Sequence, residues 1–106
     1  MQDSIAAKLI KLSERLSEIE KQLIEESSTL NQDDLISLNK EFSHIQPIVD
    51  LYSKYLKVLD ENTQAISLSK SDENEIKELA QIEVEETENS MNEILGELKL
   101  MLLPVD

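Results

Sequence analysis

A chain of 106 residues with one Gly, two Pro, no Cys and a formal charge of −13 excludes several chemistries at once. It can form no disulfide or thiolate and no glycine-rich phosphate loop, it lacks an apolar run of about 18 residues that could span a membrane, and its cations are too sparse to track a phosphate backbone. High charge with only three aromatic residues points toward disorder, so the outcome rests on whether the 40% apolar residues are patterned.

They are patterned, and the pattern is helical. Met1–Leu12 carries no basic start followed by an apolar stretch, so no signal peptide is expected. Ile5, Leu9, Leu12, Leu16, Ile19 and Leu23 recur at alternating intervals of four and three. That spacing predicts an amphipathic helix over about 4–27. Asp3 or Ser4 is its expected N-cap. Ser27-Ser28-Thr29 ends it, because short hydroxyl side chains compete for backbone hydrogen bonds.

A second stripe follows through Leu35, Leu38, Phe42, Ile45, Val49, Tyr52, Leu56 and Leu59, with Ile66 in the same register. It predicts a helix over about 33–66, capped by Asn31 or Asp33. Pro47 lies inside it. Proline removes one hydrogen bond and crowds the preceding turn, so a kink or break is expected near Ser43–Gln46, and the unbroken register favours a kink. Ile36, Ile48, Leu51, Tyr55 and Val58 form a second apolar flank, so this helix is expected to touch neighbours on two sides. Tyr52 reads as core, and Tyr55 as a flank with its hydroxyl in water.

Ser67–Asp72 breaks the pattern again, and Asp72 with Glu75 has the form of a capping box. The third helix is expected over about 73–102, with a seam of Ile76, Ala80, Val84, Thr87, Met91, Ile94, Leu98 and Met101, and Pro104 beyond it. Leu79, Ile82, Leu95 and Leu102 flank this seam. Short connections make consecutive helices antiparallel neighbours. The expected architecture is an all-α, elongated, antiparallel three-helix coiled-coil-like bundle, kinked at Pro47 in its second helix.

Chemistry is hard to place on this pattern. Glu41 and His44 have the Glu-x-x-His form of di-metal bundles, but such a site needs two copies and this chain has one His. Phe42 and Ile45 define the buried stripe, so His44 reads as a surface residue. The serines fall in caps and turns, and no nucleophile elbow forms without glycine. No catalytic, cofactor-binding or metal-ligating residue is assigned. Asp60–Glu93 holds eleven acidic and two basic residues, a local charge of −9. This reads first as a solvated helix face, and second as a face that meets a basic protein.

Several stretches resemble one family in the right order. Ser4-Ile5 with Lys8-Leu9 is similar to the opening of bacterial peptide chain release factor 1, a class I release factor. Lys40-Glu41-Phe42, Pro47-Ile48-Val49, Tyr52 and Tyr55 resemble its second helix, including the internal proline. Glu78-Leu79-Ala80 resembles the start of the third, and Leu102-Leu103-Pro104-Val105-Asp106 the segment leading to the next domain. The family often has proline near Asp72–Glu73 and Lys where Val105 stands, and this chain has neither.

The resemblance implies the N-terminal helical domain of a longer release factor, occupying 1–106 as one domain. The family's Gly-Gly-Gln loop cannot be built around Gly96 alone, and no Pro-x-Thr tripeptide is present. The implied role is in translation termination through protein contacts, without codon reading or ester hydrolysis. The implied partners are the stalk base of the large ribosomal subunit and the GTPase that recycles the factor. The implied setting is the cytoplasm, with no cofactor and a monomeric fragment. The alternatives are a stand-alone acidic coiled-coil adaptor or oligomerisation module, and a metal-dependent bundle built on Glu41 and His44.

Overall fold

A computed structural model describes residues 1–104, so Val105 and Asp106 of the matched tail lie outside the described residues. Among the described residues there are three helices and no strand: α1 (Asp3–Glu25), α2 (Gln32–Leu68) and α3 (Asn74–Met101). The all-α class follows from the three apolar stripes. The chain divides into two compact units, Met1–Asp50 and Leu51–Asp106.

In the first unit the expected stripe of α1 is the one that packs. Leu9, Leu16 and Ile19 are buried, and Ile5, Leu12 and Leu23 are half-buried. Leu16 and Ile19 form a core with Ile45 of α2, flanked by Leu12, Leu23, Leu38, Phe42 and Val49. The connection after α1 is a set of turns in which Thr29 Oγ1 donates to the Glu26 carbonyl at 3.0 Å. Asn31 then caps α2, its Oδ1 accepting from the Asp34 N–H at 2.8 Å. The expected caps Asp3 and Ser4 are displaced by Gln2, whose side chain makes no capping bond. Both instead lie inside the first turn of the helix, where Asp3 still favours the positive end of the dipole.

α2 runs through Pro47 without a break. Proline cannot donate to the Ser43 carbonyl, but Ser43 and Pro47 are both exposed, so water can satisfy the freed acceptor. No cis peptide bond and no left-handed residue occurs among the described residues.

The second unit is a two-helix hairpin. One end brings Ala65 and Leu68 to Ile76 and Ala80. The other brings Leu51 and Val58 to Ser90 and Ile94. Asn62 meets Thr87 between them, so the two helices of the hairpin run antiparallel. The α3 seam is as expected: Ala80, Thr87, Ile94 and Leu98 are buried, and Val84, Met91 and Met101 half-buried. Ile76 departs from it and is exposed. The Asp72–Glu75 capping box does not form. Glu73 is the N-cap without a side-chain bond, and Ser71 Oγ accepts from its N–H at 3.2 Å.

The C-terminal half of α2 uses a different face from the one expected. The buried residues are Tyr55, Asn62 and Ala65, with Leu51 and Val58 half-buried. Leu56, Leu59 and Ile66, expected in the seam, are exposed. The two tyrosines exchange roles, Tyr55 being buried and Tyr52 half-buried. The expected flank is therefore the core of this unit. The cause is that the first half of α2 packs on α1 and the second half on α3, and each partner takes its own row.

Candidate functional site

The first candidate is the Glu41–His44 pair. Glu41 is occupied by Arg15 of α1. Arg15 Nε donates to Glu41 Oε2 at 2.6 Å and Nη2 to Oε1 at 2.8 Å, a bidentate fork. A third, longer contact joins Nη1 to Glu18 Oε2 at 3.4 Å. The hydrogen bonds from Arg15 hold the Glu41 carboxyl below its ordinary value, and the same bonds raise Arg15. Both side chains keep 36% of their surface, so the pair is a surface clamp between two helices rather than a buried ion site. His44 is exposed on the same helix. Among the described residues no three His, Cys, Asp or Glu gather as metal ligands would. What the motif does in the fold is tie α1 to α2.

A second polar feature lies in the hairpin of α2 and α3. Asn62 is 6% exposed and Thr87 4%. Asn62 Nδ2 donates to Thr87 Oγ1 at 2.9 Å and lies 3.5 Å from the Val84 carbonyl. Thr87 Oγ1 has further intrahelical partners in the Glu83 and Val84 carbonyls, at 2.8 and 3.0 Å. No buried side-chain polar atom among the described residues lacks a partner. A satisfied amide–hydroxyl pair inside an apolar seam marks register, not chemistry.

The feature with the shape of a binding site lies at one end of the same hairpin. Ala65 of α2 and Ala80 of α3 are buried and face each other as small residues. Their short side chains leave a groove of ≈ 380 Å³. Leu68 and Leu79 stand at its walls with 55% and 63% of their surface exposed, and Ile76 with 37%. Glu61, Gln64 and Glu83 complete the lining. A smaller depression of ≈ 200 Å³ at the other end is lined by Lys54, Ser90, Glu93 and Glu97 around Val58 and Ile94. Two acidic residues of the −9 stretch Asp60–Glu93, Glu61 and Glu83, therefore line an apolar notch.

Sequence reasoning placed Ala80 and Thr87 in the α3 seam but did not pair Asn62 with Thr87. It counted Leu79 only as a flank and placed Leu68 in no apolar row. The signal that could have found the groove is the pair Ala65 and Ala80, two small residues within about two turns of the connection between α2 and α3.

No solved structure matches this chain. Residues 12–106 match the family described as the PCRF domain.

Proposed function

Because this chain belongs to the PCRF domain family, the translation-termination domain of release factors, we propose that it serves class I termination as the N-terminal helical domain of a factor of the release factor 1 type. The family match over residues 12–106 carries the release-factor part of this reading. In it, the domain contributes protein–protein contacts on the ribosome. Stop-codon reading and ester hydrolysis are assigned to other parts of the factor. The proposed partners are the stalk base of the large subunit and the recycling GTPase, and the proposed setting is the cytoplasm.

Three features support the reading. The Glu-x-x-His motif has a structural use, because Arg15 of α1 clamps the Glu41 carboxylate while His44 stays exposed. The charge of −13 disfavours wrapping in rRNA, whose phosphates would be repelled. No helix among the described residues is long and apolar enough to cross a membrane.

Co-sedimentation tests it. The purified chain is mixed with large ribosomal subunits, small subunits and whole ribosomes. It is expected to pellet with large subunits and whole ribosomes, and to slow the association of a complete release factor equally at all stop codons. Pelleting with small subunits alone, or with none, would overturn the reading. An obligate oligomer by light scattering, together with no pelleting, would favour the adaptor alternative instead.

A further inference from the structure

We propose that the groove between the last turns of α2 and the first half of α3 is a docking site for a basic amphipathic helix of a partner protein. The inference rests on the reading of the domain as a protein-contact module, and it supplies the chemistry of one partner.

The groove is built from a floor and walls. Ala65 and Ala80 make the floor, at 3% and 5% exposure. Leu68, Ile76 and Leu79 make the walls and leave much of their surface in water. Single exposed leucines are ordinary on protein surfaces, but three large apolar side chains around one concave floor are not. Covering them removes apolar area from water, which is the driving force for association. A helix fits such a notch by inserting residues spaced i, i+3, i+4 and i+7.

Charge selects the occupant. Glu61 and Glu83 flank the apolar surface, and the Asp60–Glu93 stretch that contains it carries −9. A second copy would bring the same charge to the same place, and like charges oppose each other across an interface. RNA and anionic lipid are repelled for the same reason. A helix with Leu or Ile on one face and Lys or Arg at its margins satisfies both features. Its aliphatic stems extend the apolar contact while the cations reach Glu61 and Glu83.

The test uses a labelled synthetic peptide of Leu and Lys, with Leu on one helical face, and a scrambled peptide of the same composition. Binding to the 106-residue chain is followed by fluorescence anisotropy at low and high salt. The patterned peptide is expected to bind about tenfold or more tighter than the scrambled one. Leu79→Ser and Leu68→Ser should each weaken it severalfold without changing the charge. Ile24→Ser is the control, since Ile24 lies on α1 with 79% exposure and outside the groove. Glu61→Gln with Glu83→Gln should weaken binding at low salt and flatten its salt dependence. Circular dichroism confirms that each variant is folded.

Equal binding of the two peptides, or equal binding to the groove variants, would overturn the proposal. So would concentration-dependent dimerisation abolished by Leu79→Ser, which would assign the groove to a second copy. Ribosome co-sedimentation separates this proposal from the functional reading. Pelleting by a chain that does not discriminate the peptides refutes the groove alone. Peptide discrimination by a chain that does not pellet refutes the ribosomal role alone.

Discussion

Removing the Thr87 hydroxyl should cost more than removing the Asn62 amide, although both belong to one hydrogen bond. In Thr87→Val the side chain keeps its shape, and Asn62 Nδ2 loses its 2.9 Å acceptor. Its remaining contact, the Val84 carbonyl at 3.5 Å, is at the outer limit of a hydrogen bond. A buried donor left unpaired costs about 1–3 kcal/mol. In Asn62→Leu the orphan does not appear, because Thr87 Oγ1 still donates to the Glu83 carbonyl at 2.8 Å. Leucine also adds apolar burial at a site only 6% exposed. The expected cost is below about 1 kcal/mol, since a hydroxyl that keeps a partner has little to lose. The double variant Asn62→Leu, Thr87→Val replaces both partners by apolar groups and should return to within about 1 kcal/mol of the parent. Urea unfolding followed by circular dichroism, with the double-mutant cycle closed, reads the coupling. At the scale of about 4–8 °C per kcal/mol for a domain of this size, thermal melts would order the variants the same way. If Asn62→Leu destabilises as much as Thr87→Val, the fallback role of the Glu83 carbonyl is wrong; if the double variant equals the sum of the singles, the unpaired Asn62 donor is not what Thr87→Val costs.

The other predictions concern single positions. Ile19→Ala, at 0% exposure in the core of the first unit, should lower stability by ~2–5 kcal/mol in the same urea assay. Ile24→Ala, at 79% exposure, should stay within about 0.5 kcal/mol. Gly96→Ala should stabilise by ~0.5–1 kcal/mol, because Gly96 is inside α3 and an added methyl meets nothing within 4 Å; a loss of stability would contradict this. Glu41→Gln should cost ~0.2–1 kcal/mol at neutral pH, the range for a largely exposed pair. The sign of its pH dependence follows from the lowered Glu41 carboxyl. The contribution is full above the ordinary carboxylate value of about 4.3 and is lost as pH falls through the lower folded value. Parent and variant melts should therefore converge in acid; a gap that widens there would refute the clamp.

The helices themselves were legible in the sequence. The six-residue stripe of α1 and the α3 seam from Ala80 to Leu98 coincide with the buried rows, because each helix packs with one face and periodicity reports one face well. The second half of α2 was not legible for the opposite reason. It carries two apolar rows side by side, and regular spacing favoured Tyr52, Leu56 and Leu59 over Leu51, Tyr55 and Val58. Only the partner helix decides, by setting Thr87 against Asn62 and Ala80 near Ala65, and those residues lie on α3. The cap positions of α1 and α3 shifted by one or two residues, since several polar residues adjoin each start and none of the expected side chains makes the bond. The groove was hidden because it arises from what two small residues fail to fill, and a vacancy leaves no periodic trace.

The two neighbouring rows of α2 bear on how this chain tolerates insertions and deletions. A residue step of one turns a helix by about a third of a revolution. Inserting one residue after exposed Asp60 would carry the earlier part of α2 one step back from the turn and hand the places of Leu51, Tyr55 and Val58 to Tyr52, Leu56 and Leu59. Asn62 and Ala65 lie beyond that point and would keep their places against α3, so the Asn62–Thr87 bond and the alanine floor of the groove would stay. The hairpin would keep its apolar seam and its helices. An extra codon at this point is thus absorbed by the second row of α2, and the notch at the turn end does not register it.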